Sequence, residues 1–353
     1  MACPEGGSHT CCSQPRLRHT DSPDRPGRSH PTASKGLHHA RPQHQDPAVR
    51  RRRRRTFRRR TTGCSSTDSA SSGWAKAPET LVFAAVPDKA GSDANWKPMQ
   101  NYLAKTTGYE VEYYPTSDYT ALVAALVAGK ADVGVMGGLQ YVMATNKGAE
   151  IEPVAAGLTS PDAEDAGYFS EAIVAADSPI ASLADAKGKS VCFVDPNSTS
   201  GFLFGLNALS KAGLDVTSTG QDANGRPTFD DFTPFFAGSH DKSAQAVASK
   251  QCDLGFAEDT VAAEGVKKGQ VKVINREYVP GGPFTVSSAL PADAKTKVTD
   301  ALRGATVEAI AASGVPMTDG FTSNYFGVLP VDKQYFTPIS DLCTNIAAAK
   351  CAS

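Results

Sequence analysis

From residue 79 onward the apolar positions fall into short continuous runs separated by stretches of helical period. Leu81-Val82-Phe83-Ala84-Ala85-Val86 predicts a buried strand, and Trp96 to Lys105 a helix ended by Gly108. Glu110 to Tyr114 predicts a strand and Tyr119 to Ala128 a helix ended by Gly129; Ala131 to Met136 then turns through Gly137-Gly138 into another helix. A second series opens with the strand Ser190 to Val194 and the helix Phe202 to Lys211, and continues through Ala244 to Lys250 (helix) and Cys252 to Ala257 (strand). Strands alternating with helices of this length make βαβ units, so the expected fold class is α/β with mixed, mostly parallel sheets. About 275 residues suffice for two lobes. Two extended stretches, Phe169 to Ala175 and Phe284 to Ala289, flank the second series and are expected to carry the chain across and back. The expected organisation is a discontinuous first lobe (79–168 and 287–353, with helices near Lys295–Ser313 and Ile339–Ala349) and a continuous second lobe (169–286). That is a hinged clamshell, with ligands expected beyond the carboxyl ends of the strands.

Composition changes the picture mainly at the N-terminus. The chain has 36 Lys+Arg and 37 Asp+Glu, but residues 1–60 hold 15 of the basic and 4 of the acidic ones, leaving 21 against 33 and a net of −12 beyond. That first segment carries six of the seven histidines and the arginine runs Arg50 to Arg55 and Arg58 to Arg60, without apolar periodicity. It reads either as an arm for nucleic acid or anionic lipid, or as a misassigned start or out-of-frame translation. The second is the expectation for residues 1–63, and no nucleic-acid partner is expected. Gly63-Cys64-Ser65-Ser66-Thr67-Asp68-Ser69 is similar to the surroundings of a lipobox cysteine, which makes 64–78 a tether and Cys64 a lipidation candidate. Beyond it stand Cys192, Cys252, Cys343 and Cys351, with no C-x-x-C metal pattern. An even count in an exported chain predicts two disulfides, with Cys343–Cys351 across a short terminal loop and Cys192–Cys252 between strand-like runs. Four buried thiols are the alternative.

The candidate chemistry lies at Asp195-Pro196-Asn197-Ser198-Thr199-Ser200-Gly201, between a strand and a helix. Three hydroxyls and the unpaired N–H groups of a helix start suit a tetrahedral oxyanion. A simple N-cap is the plainer reading, although one cap oxygen satisfies only one or two N–H groups. Tyr119, opening a first-lobe helix, and Tyr168, at the crossing, are candidate donors from the opposite side; each is otherwise a core tyrosine. Asp259, beside Glu258 and after the strand ending at Ala257, is expected at the cleft edge. There it reads a ligand's P–OH or ammonium, or is simply a solvated helix-start acid. His240, the one histidine of 61–353, follows the tight loop Ala237-Gly238-Ser239.

In order and spacing, four pieces resemble the phosphate/phosphite/phosphonate-binding proteins of ABC importers, a branch of the type II periplasmic binding fold. These are Ser117-Asp118-Tyr119 before Ala128-Gly129-Lys130-Ala131-Asp132, then Gly167-Tyr168-Phe169-Ser170, Asp195 to Gly201, and Gly238-Ser239-His240-Asp241. The resemblance covers about 79–340. It implies an extracytoplasmic, lipid-anchored, monomeric binding protein that hands a small phosphorus oxyanion to a permease and its ATPase, with no cofactor and no metal. It also places His240 on the oxyanion, donating from one ring nitrogen, and a nearby phosphoryl group favours the cationic ring. Relatives that take aminoalkylphosphonates carry an acid before the proline of the returning strand. Here Gly281-Gly282-Pro283 stands instead, so phosphite, phosphate or methylphosphonate is expected.

The competing class is an enzyme on the same fold, acting on phosphate or phosphonate esters. The chain has no G-x-S-x-G, no P-loop and no His cluster in the candidate cleft, although His240 with Ser198 to Ser200 imitates a Ser–His pair. A sensor input module is a further class; it calls for a transmembrane span and a signalling domain, and neither is read here.

Overall fold

The computed structural model describes residues 73–87 and 92–351, all within one compact unit, Ser66–Ser353. The expectations for residues 1–63, and for Cys64 as a lipidation site, lie outside the described residues.

The first stretch runs β1 (Thr80–Ala85), α1 (Ser92–Asn95), α2 (Lys97–Thr107), β2 (Glu110–Tyr114), α3 (Tyr119–Val127), β3 (Val133–Val135), α4 (Gly138–Asn146) and β4 (Ile151–Gly157). The middle stretch runs β5 (Tyr168–Ala175), β6 (Ser190–Phe193), a π turn (Thr199–Leu203), α5 (Phe204–Lys211), a two-residue-strand hairpin β7 (Gly220–Gln221) and β8 (Pro227–Thr228), and β9 (Thr233–Phe236). It continues with α6 (His240–Ala248), β10 (Leu254–Glu258), α7 (Asp259–Lys267) and β11 (Val271–Val279). The last stretch is β12 (Pro283–Ser287), α8 (Ala292–Arg303), α9 (Val307–Ala312), α10 (Asp319–Thr322), β13 (Val328–Pro330) and α11 (Thr337–Asn345). The sheets are ordered β13-β4-β12-β3-β1-β2 and β11-β5-β10-β6-β9, one per lobe.

Local chemistry sets the helix boundaries. The Asp118 carboxylate accepts from Ala121 N at 2.8 Å and starts α3, and Gly108, at φ 75°, ends α2. Gln140 folds back onto the Gly137 N–H to start α4. In the second lobe Phe193 stacks on Phe256 at 5.7 Å and meets Phe202 edge-on at 5.2 Å, which seats the strand ends under the π turn.

Each sheet is mixed, and its parallel share is smaller than the strand–helix alternation implies. Parallel pairing is confined to β1 with β2 and β3, and to β6 with β9 and β10. The crossing chain supplies the antiparallel remainder, because β5 and β12 enter their sheets from the hinge and so run away from the cleft. The return point also differs from the expected 286/287. Phe284 to Ser287 pairs with β3 and β4 in the first sheet, so the chain re-enters that lobe at Pro280–Gly282, and the outward crossing is 158–167. Backbones pass so closely there that a Cβ on Gly281 would lie 1.7 Å from Ala166 O.

Both expected disulfides are present. Cys192–Cys252 ties β6 to the approach of β10, and Cys343–Cys351 closes the C-terminal loop.

Candidate functional site

β6, β9 and β10 lie side by side, β6 parallel to each of the other two, so their carboxyl ends share one edge. Each feeds a helical start: the π turn at Thr199, α6 at His240 and α7 at Asp259. Three helix starts therefore face one direction. Opposite them, β2 and β3 feed α3 and α4 of the first lobe. The two edges touch: Leu139 N donates to Thr199 Oγ1 at 2.9 Å, and Asn197 Nδ2 donates to Thr120 Oγ1 at 2.8 Å. The lobes are closed on each other.

Ser198, Thr199 and Ser200 are all buried, at 1%, 2% and 0% exposure, but they do different things. Ser198 Oγ accepts from Gly201 N at 3.1 Å, so the plain capping reading describes that oxygen's acceptor side. Thr199 Oγ1 is the acceptor that ties the second lobe to α4. Ser200 Oγ is buried without a hydrogen-bond partner, and so is Ser239 Oγ, at the N-cap of α6. A buried hydroxyl left unmatched costs about 1–3 kcal/mol, so these two, at one sheet edge, are candidate donors to a ligand. Ser239 was not singled out from the sequence. Its signal was its position before His240 in Gly238-Ser239-His240-Asp241, where a cap serine looks ordinary. The helix also begins three residues earlier than Phe202, through a π turn in which Leu203 N reaches back to Ser198 O.

His240 is buried, and its Nδ1 accepts from Glu258 N at 3.0 Å. A proton on Nδ1 would oppose that N–H, so the geometry assigns a neutral ring with its proton on Nε2. The ring is held by the residue that caps the start of α7.

Tyr119 is buried at the first position of α3, and Tyr168 opens β5 at the crossing. Tyr168 and Asp259 line a cavity of about 220 Å³ between the lobes, together with Met136, Gly137, Gly282 and Phe284. The structure therefore divides the candidates, placing Tyr168 and Asp259 on this cavity and Ser198 to Ser200 and His240 at the neighbouring strand tips. Burial pushes the Asp259 carboxyl above the ordinary aspartate range, and the charge of Glu258 adds to the effect. Arg276 Nη2 stands 4.0 Å from Asp259 and Arg276 Nε 2.9 Å from the buried Glu171, and its guanidinium lies 3.8 Å from the Phe169 ring centre. Burial likewise raises Asp195, and Asp118 across the cleft contributes. Among the described residues there is no group of three or more His, Cys, Asp or Glu able to hold a metal ion.

Residues 83–334 match the family described as ABC transporter, phosphonate, periplasmic substrate-binding protein. The phosphate-import protein PhnD of Mycolicibacterium smegmatis is 33% identical over 305 residues, which is 82% of this chain and 93% of the relative. The phosphonates-binding periplasmic protein of Escherichia coli is 30% identical over 220 residues, 58% of this chain and 59% of the relative. PhnD1 of Prochlorococcus marinus, solved with methylphosphonate, shares the fold at a TM-score of 0.63 and 18% identity, covering 77% of this chain and 100% of that one. The fold and the matched span agree: the chain belongs to the phosphonate family of periplasmic substrate-binding proteins of ABC transporters.

Proposed function

We propose that this chain captures a small phosphorus oxyanion (phosphite, phosphate or an alkylphosphonate) between its lobes and releases it unchanged to an ABC permease driven by its ATPase. The observation that carries this reading is the pair of buried, unmatched hydroxyls of Ser200 and Ser239 at the carboxyl edge of β6 and β9. Around them stand Ser198 and Thr199, each with a hydroxyl hydrogen to donate, the Nε2–H of His240, and Tyr119 from the other lobe. Tyr168 and Asp259 border the ligand on the cavity side. Each hydrogen bond to a charged oxygen contributes about 1.5–3 kcal/mol and a helix start roughly 0.3–2 kcal/mol. Three or four such donors reach the −8 kcal/mol or so of micromolar binding after association costs.

His240 supports binding over hydrolysis. With Nδ1 occupied by Glu258 N, the other ring nitrogen is a donor, whereas a Ser–His nucleophile needs an acceptor there. The raised Asp259 suits an ionised ligand oxygen, because a neutral carboxyl donates to an anion where a carboxylate repels it.

The relatives named for phosphate import and phosphonate binding support the ligand class. The protein works outside the cytoplasm as a monomer, tethered to the membrane through a lipid on Cys64. Titration calorimetry of the full chain against phosphate, phosphite and methylphosphonate tests the reading. Heat and one-to-one binding to at least one of them are expected, and silence with all three rejects it.

A further inference from the structure

The lobes meet along a seam of direct hydrogen bonds at the starts of α3 and α4. Leu139 N donates to Thr199 Oγ1 at 2.9 Å, and Asn197 Nδ2 donates to Thr120 Oγ1 at 2.8 Å. Gln140 Nε2 adds a third bond, to the Asn197 carbonyl. Each joins a first-lobe residue to the turn that follows β6, and none needs a ligand atom.

Local chemistry sets each partner in place. Gln140 is fully buried, and its Oε1 accepts from Gly137 N. With that oxygen committed to the helix start, the amide nitrogen is left to face the second lobe. Leu139 N lies in the first turn of α4, where no preceding carbonyl of the helix can accept it. The other lobe supplies the acceptor. Thr199 gives a lone pair to this bond and keeps its hydroxyl hydrogen for the oxyanion. Gly137 permits the approach, since a Cβ there would stand 2.5 Å from Thr199 Oγ1. Its φ of −75° is open to any residue, so the contact across the seam, not the backbone, calls for glycine.

We infer that Thr120, Gly137, Gln140 and Asn197 form a closure latch: positioning residues that hold the lobes together without touching the ligand and set how long it is retained. This rests on the proposed binding cleft and adds what regulates its closing. Each bond favours the closed form by about two- to tenfold, so the free protein visits that form before any ligand arrives. Release then requires breaking the seam, whichever oxyanion is held.

Hydrogen-exchange NMR of the free full chain tests the latch without a ligand. The Leu139 amide should exchange about tenfold more slowly than an open helix start, and Gly137→Ala, which wedges the seam, should abolish that protection. An unprotected Leu139 amide in the parent would overturn the inference. Stopped-flow release of phosphate and methylphosphonate is the second readout. Thr120 is exposed and Asn197 half-buried, so substitutions there spare the cores. Thr120→Val and Asn197→Ala should each speed release of both ligands by the same factor, about two- to tenfold. The double variant should be no faster than either single one, because both remove one bond. Additive effects would put Asn197 on the ligand and refute the latch, as would unchanged release. Gln140→Glu still accepts from Gly137 N but has no hydrogen for the Asn197 carbonyl, and should also release faster. A protected Leu139 amide in a chain that binds neither ligand would reject the oxyanion site and leave the latch standing.

Discussion

The two walls of the cleft are built on opposite principles. The second-lobe wall draws its polar groups from two short segments, Ser198–Ser200 and Ser239–His240, each at the tip of a strand and the start of a helix. The first-lobe wall draws its rings from Trp96, Phe284, Phe321 and Tyr325, which belong to or follow α1, β12 and α10. A wall made of helix starts is rigid and directional, because the same backbone that forms the helix orients the donors. A wall made of packed rings accepts shape and excludes water with little directional demand. The difference is one of kind: the polar wall is directional, and the aromatic wall is not.

Breaking the frame of the polar wall has the largest expected effect. The Cys192–Cys252 bond spans 60 residues of the second lobe, and Cys192→Ala with Cys252→Ala should cost about 4 kcal/mol in chemical denaturation. Removing Cys343–Cys351, across 8 residues of the first lobe, should cost less. A reversed order would show that the second lobe does not depend on its staple.

Next is Ser200→Ala with Ser239→Ala, which should weaken phosphate or phosphonate binding by about 3 kcal/mol or more by calorimetry. The melting temperature without ligand should hold or rise, since two unmatched buried hydroxyls are removed. Unchanged affinity would move the head group elsewhere. His240→Ala affects both affinity and fold. It leaves the Glu258 N–H without its acceptor, so a stability loss of about 1–3 kcal/mol should accompany the weaker binding. Binding lost at full stability would contradict the positioning of α7 by the imidazole.

The smallest effect concerns the border between the walls. Burial raises Asp259 in the folded state, so its neutral form is favoured there. Its contribution to stability is therefore full below the unfolded carboxylate range and lost as pH rises through the folded value. Asp259→Asn should melt slightly higher than the parent at neutral pH, with the gap closing in acid. A gap that widens in acid would place a charged, stabilised carboxylate there instead.

Legibility followed the same division. Ser198, Thr199, Ser200 and His240 were readable because strand, turn and helix start are adjacent in the chain. Ser239 was missed because a cap serine carries no mark of lacking a partner. The bond that orients the histidine was not legible, because Glu258 N lies eighteen positions away. The return to the first lobe was placed a few residues late, since an extended apolar run looks the same in either sheet.

By itself the sequence determined the alternation of strands and helices, the helix ends at Gly108 and Gly129, the two disulfides and the run of three hydroxyls between a strand and a helix. These depend on neighbours along the chain. Tertiary structure alone decided which hydroxyls keep a free valence, how Thr199 bridges the lobes, and that residues from Trp96 to Tyr325 enclose one chamber. Those outcomes depend on approach in space between segments far apart in sequence, and no periodicity encodes such an approach.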